Sequence, residues 1–327
     1  MSRSPALSAT AATTRRLRTT PAFRWALTGT VFTAAGAWVL TGWAVAGVTS
    51  PAYGGDSISG ARHTAVVAAQ VLLATVLAGC AVHLIRSSLR CGQVTLSAGI
   101  TLGFLLSSWQ SPLLNYHNVT MVVNRHLVHV NSWGPYIPGW HPPRPEAQIE
   151  APLTTTGVGF GLLILCVWAQ AVFGLKLVER FPRWRPPRVL AAVIGLGIVT
   201  DILLEAALIN TGVFSYAHAW RPATLFAGHW YNIPLSAPFT ATAVTTPFAV
   251  MWILERTRGT VPRIYRGAEL ASTATRQNVV RALAGVGAGN LALLVYLALN
   301  VLCGLIGGPQ PGDTPSYMWP AGTGWPQ

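Results

Sequence analysis

Asp201 and Glu205 are the residues of this 327-residue chain whose type and spacing speak most directly of chemistry. They stand four residues apart in GIVTDILLEAALI, and no other charged residue lies between Arg188 and Arg221. On a helix this spacing projects both carboxyls from one face, about one turn apart. A carboxylate at membrane depth is costly unless it is paired or faces a polar cavity, so its default reading is functional. Two carboxyls so close in a low dielectric do not both ionise readily. One then holds its proton, a general acid beside a carboxylate neighbour. The bland alternative is a packing hydrogen bond, or an ion pair with Arg221 or Arg125. The other seven of the nine acids fall in loops, tails or helix ends, where water accounts for them.

Two further stretches carry side chains suited to holding a ligand. Gln110 to Pro152 and Gly212 to Asn232 together contain six of the eight histidines, His117, His126, His129, His141, His218 and His229. The first stretch also has four Asn within seventeen residues, at 115, 118, 124 and 131. An interfacial belt explains the Trp and Tyr, but not the Asn. Asn and His set beside apolar bulk are what orients a lipophilic, polyoxygenated small molecule. The substrate-binding candidates are Asn115, Tyr116, Asn124, His126, Asn131, Trp133, His229, Trp230 and Tyr231. A metal is the rival, since His126 and His129 with His218 or His229 offer three imidazoles. No H-E-x-x-H, H-x-x-x-H or adjacent His pair is present, and no metal or other cofactor is expected.

The elements that must position these groups follow from composition. The chain is 51% hydrophobic and 9% charged, against roughly a quarter charged in soluble domains. Its uncharged runs, such as 25–55, 63–85, 91–124 and 282–312, are each long enough to span a bilayer. The expected fold is therefore all-α, a polytopic membrane helix bundle, which excludes a secreted disulfide scaffold, a cytosolic enzyme and a nucleic-acid reader. Membrane lipids are its surroundings. About seven transmembrane helices are expected, over 25–48, 63–85, 92–109, 153–178, 189–211, 233–254 and 280–306.

Charge placement orients them. With the N-terminus in and the C-terminus out, inner segments take eighteen of the 22 basic residues and outer ones only Arg62, Arg125, Arg144 and Arg221, as the positive-inside rule demands. The net charge of +13 is thus a topological signal. Residues 1–24 are expected to be a disordered basic cytoplasmic tail, 25–306 one transmembrane domain with 110–152 as an ordered outer cap, and 307–327 a short outer tail. The first apolar run is too long for a signal-peptide core and is expected to be retained. Twenty-one Arg to one Lys reads as a GC-rich, bacterial genome.

Several motifs carry a family resemblance over roughly residues 105 to 300. The run Ser111-Pro-Leu-Leu-Asn115-Tyr116, the segment Asn131-Ser-Trp133-Gly-Pro with Ile137-Pro-Gly-Trp140, the Asp201-x-x-x-Glu205 pair and Phe226-Ala-Gly-His229-Trp230-Tyr231-Asn-Ile-Pro234 resemble the AveC-type spirocyclase family of actinobacterial membrane proteins. The resemblance implies an integral-membrane enzyme of polyketide biosynthesis, in secondary metabolism. Such an enzyme closes a dihydroxy-ketone into a spiroketal, with dehydration in some members. Spiroketal closure needs an acid for the departing hydroxyl and a carboxylate for the oxocarbenium ion, roles that suit Asp201 and Glu205. Two other classes fit the residues: another cation-forming membrane cyclase of terpene or meroterpenoid type, and a proton-coupled exporter, against which the missing internal repeat counts. The site is expected in the outer half of the membrane, reached from the bilayer or from the outer face.

Overall fold

The computed structural model describes residues 18–50 and 57–318. Residues 1–17 of the basic tail and 319–327 of the outer tail lie outside the described residues. Among the described residues six helices are long and apolar enough to cross a membrane: α1 (Pro21–Ala46), α2 (Gly60–Cys91), α4 (Val158–Arg180), α5 (Pro186–Thr211), α6 (Ser236–Arg258) and α7 (Ala274–Leu305). The protein is an all-α polytopic bundle.

The third expected span departs from a continuous α-helix. Helix α3 (Leu96–Leu106) has eleven residues and passes through Ser107 into a 3-10 segment, Ser108–Asn115. Pro112, inside that segment, has no N–H to continue an α ladder, and Ser107 Oγ donates to Phe104 O at 2.6 Å. At about 1.5 Å per α residue and 2.0 Å per 3-10 residue, the pair rises roughly 30 Å, a bilayer's hydrocarbon thickness.

Helix α7 is the spine against which α1 and α3 pack. Gly99 and Gly103 meet Gly285 and Gly289 backbone to backbone, and Gly29 of α1 meets Leu283 and Gly287 on the neighbouring face. A Cβ on Gly29, Gly103, Gly285, Gly287 or Gly289 would collide with main chain, and one on Gly99 with the Tyr265 hydroxyl, so the small residues set the interaxial distance. Farther along, Gln110 Nε2 donates to Asn290 Oδ1 at 2.8 Å, and Leu114 packs on Leu293 and Leu297. Gln170 of α4 bridges to Thr245 and Thr246 of α6.

Contacts at the helix ends fix two faces of the bundle. At one, Ala22 N donates to Arg266 O (3.1 Å) and Val94 N to Asn278 Oδ1 (2.8 Å), which gathers the starts of α1, α3 and α7 with the basic 259–273 loop. At the other, three two-stranded antiparallel ribbons build a cap. β1 (Met121–Val123) pairs with β4 (Phe214–Tyr216), β2 (Val130–Asn131) with β3 (Ile149–Glu150), and β5 (Thr224–Leu225) with β6 (Ile233–Pro234). The β1–β4 ribbon ties the 110–152 and 212–232 loops together, with Met121 opposite Tyr216. The chain after α7 closes over the same end, where Gly308 N bonds Ala219 O and Tyr317 and Met318 are buried. Both long loops are folded by these pairings, and they lie at the end of the bundle opposite the 259–273 loop.

Candidate functional site

Helix α5 positions the acid pair. Pro186 opens it, and Gly212, at φ 84, closes it in the left-handed region that glycine favours. Its buried residues are Val193, Gly197, Asp201, Glu205 and Ile209, a single stripe at intervals of four. Leu203 and Leu204 face outward. The pair thus occupies the buried face of a helix that packs between α4 and α6 and exposes Leu203 and Leu204 on another side.

Both acids line a chamber of about 320 Å³ beneath the cap. Its walls are α2 (Leu72, Val76), α4 (Phe160, Leu163), α5 and Tyr296 of α7, and its roof is the cap residues Ser111, Asn115, Arg125, Glu150 and Tyr216. Most of the lining is aliphatic, and the few polar groups are concentrated. Tyr216 Oη donates to Glu205 Oε1 at 2.7 Å, while Glu205 Oε2 and Asp201 Oδ2 are buried with no hydrogen-bond partner. Burial, reinforced by Glu205, holds the Tyr216 hydroxyl well above the usual tyrosine range, so it stays a donor.

Glu150 is a third acid in the same space. The β2–β3 ribbon carries it in, opposite Val130. Ser111 Oγ donates to its Oε2 (2.6 Å) and Ser132 Oγ to its Oε1 (2.7 Å). Burial pushes this carboxyl up to about 7 against the opposing pull of the two hydroxyls. Arg125 is also buried; desolvation lowers its guanidinium to about 10, which leaves it a cation at neutral pH.

Of the nine substrate-binding candidates from the sequence, Asn115 alone lines the chamber. Its side chain folds the turn into β1, donating to Met121 O and Gln148 Oε1 and accepting from the Thr120 and Met121 amides. The others have different partners. Asn124 donates to Gly212 O (2.7 Å) and accepts from His126 N (2.9 Å), locking the end of α5 to β1. Asn131 Oδ1 accepts from Trp43 Nε1 and Thr49 N. Tyr116 donates to Pro138 O, and Trp133 to Trp109 O. His126 lies edge-on to His63 and Tyr317. His229 is exposed, 3.1 Å from Asp313 and stacked on Tyr231, and Trp230 sits under Arg62. Among the described residues no three His, Cys, Asp or Glu side chains converge on a metal position.

Glu150, Arg125, Tyr216 and Tyr296 were not singled out as site residues from the sequence. Glu150 and Tyr216 come from short stretches, QIEA and VFSY, that become strands only by pairing across the cap. Period-two alternation in QIEA was the signal available for Glu150, whereas VFSY, buried throughout its strand, offers only its β-branched and aromatic residues as a hint.

Fold and site together define an integral membrane protein with an acid-bearing chamber roofed by a folded cap. Residues 92–322 match the family described as spirocyclase AveC-like, from the turn before α3 through the tail that closes the cap. The chain belongs to this family. No curated protein and no solved structure matches it.

Proposed function

We propose that this protein is a spiroketal cyclase acting on a lipophilic dihydroxy-ketone of polyketide type. The observation that carries the reading is the convergence of Asp201, Glu205 and Glu150 on one apolar chamber within a chain of the spirocyclase family. One hydroxyl of the substrate adds to the ketone to give a hemiketal. One carboxyl of the Asp201–Glu205 pair delivers a proton to the hemiketal hydroxyl, which leaves as water. The other, as carboxylate, faces the oxocarbenium ion. The second substrate hydroxyl attacks that carbon and gives up its proton, which passes by way of a base and the released water back to the Asp201–Glu205 pair and so resets the acid. Glu150, poised near neutrality, takes this proton from the roof side. Tyr216 positions Glu205. The aliphatic walls keep bulk water from the cation and favour loss of water.

Leu72, 62% exposed, and Leu204, 44% exposed, line the chamber and also face outward from α2 and α5. This supports lateral access from the bilayer of a bacterial cytoplasmic membrane. It also allows a substrate longer than the chamber to leave its remainder in lipid.

The test uses protein in nanodiscs and a synthetic dihydroxy-ketone, with spiroketal followed by mass and chirality. D201N and E205Q are expected to slow closure at least about a hundredfold while melting like the wild type. Wild-type rates in both variants would end this mechanism.

A further inference from the structure

Arg125 takes no part in the proposed chemistry, and its surroundings ask what it is for. It is the one buried Lys or Arg among the described residues, 3% exposed, and it lines the roof of the chamber. Its place is fixed from both sides: Arg125 N bonds Tyr317 O at 3.0 Å, and the preceding Asn124 is locked to Gly212. The guanidinium donates to Ala147 O from Nη2 at 2.7 Å, while Nε is buried with no partner.

The chamber's three acids do not neutralise it. Glu150 is held by two serine hydroxyls and Glu205 by a tyrosine hydroxyl, and among the described residues no carboxylate lies within ion-pair distance of Arg125. A buried, under-satisfied guanidinium is costly unless an anion completes it. Its planar fork matches a carboxylate or phosphate edge.

We infer that Arg125 anchors an anionic head on the molecule that occupies the chamber, so the occupant is an amphiphilic acid rather than a neutral polyol. Resting on the proposed function, this names its substrate class. The acid end seats under the cap at Arg125, and the apolar body extends past Phe160 and Leu163 toward the lipid-facing gap at Leu72 and Leu204. The head has two sources, a substrate carboxylate or the phosphodiester of an anionic lipid.

The experiment measures binding of decanoate and methyl decanoate to the purified protein in dodecyl-maltoside micelles at pH 8, corrected for micelle partition. The wild type is expected to hold the acid at least ten times more tightly than the ester. R125M should erase the difference and R125K retain most of it. Equal affinity in the wild type, which needs no variant to fold, overturns the inference, as does a preference that survives in R125M. A second arm compares nanodiscs of phosphatidylcholine with and without phosphatidylglycerol. Competition by phosphatidylglycerol assigns the anionic head to lipid, and decanoate binding unaffected by it assigns the head to substrate. The outcome is separable from that of the cyclase mechanism, because D201N and E205Q report on closure whether or not the acid is preferred.

Discussion

Tyr216 Oη donates a 2.7 Å hydrogen bond to Glu205 Oε1, joining a membrane helix to a strand of the cap. The strand is in place because β4 pairs with β1, and the exit of α5 is tied to the cap by Asn124, which binds the Gly212 carbonyl just past the helix end. Substituting Tyr216 by Phe removes the donor and little else. A hydrogen bond to a carboxyl is worth roughly 1.5–3 kcal/mol, so Y216F is expected to lower kcat for closure by at least about tenfold. Single-turnover measurement on the dihydroxy-ketone checks this, and an unchanged kcat would remove Tyr216 from the site.

Glu150 predicts a pH dependence of stability. Its carboxyl is pushed from the ordinary 4.5 up to about 7, so the native state holds this proton more tightly than the unfolded chain does. The stabilisation is complete below about 4.5, declines as pH rises toward 7 and is gone above it. A shift of this size corresponds to about 3 kcal/mol. Melting of the solubilised wild type is therefore expected to fall between pH 4.5 and 7.5, and E150Q, whose amide does not titrate, to flatten that slope. Parallel curves for the two proteins would exclude Glu150 as the cause.

The helix-borne part of the site was legible in the sequence, and the cap-borne part was not. Asp201 and Glu205 announce themselves because helical periodicity and an apolar background are both local properties, and the buried stripe of α5 contains both. Glu150 looks like an ordinary loop acid until the β2–β3 ribbon and two serines bury it. The cluster of Asn has the opposite history. Asn124 and Asn131 read as ligand groups, yet both bind main chain away from the chamber, the other common use of Asn in a tight loop, while Asn115 binds main chain and also lines the chamber. The broken third span was hidden for a similar reason: hydropathy registers apolar length and is blind to the change of helix type around Pro112.

The glycine seam between α3 and α7 predicts a stability defect remote from the chemistry. A Cβ at Gly103 would meet the Gly285 carbonyl and the Gly289 Cα, and main chain has little room to yield. G103L is expected to destabilise the bundle by roughly 3 kcal/mol, the upper range for overpacking. Lower melting and earlier proteolysis would show it. A wild-type melting curve would mean that the helices separate without cost.

His229 supplies the complementary prediction. It lies within the residues that match the spirocyclase family, but its imidazole is exposed, 3.1 Å from Asp313 and stacked on Tyr231. An exposed polar contact of this kind contributes at most about 1 kcal/mol, and His229 is not among the residues lining the chamber. H229A is therefore expected to close the dihydroxy-ketone within about twofold of the wild-type rate, in the same assay where D201N fails. A loss comparable to that of D201N would move the reacting position from the chamber to the surface at His229, and with it the roles given to Glu150 and Tyr216.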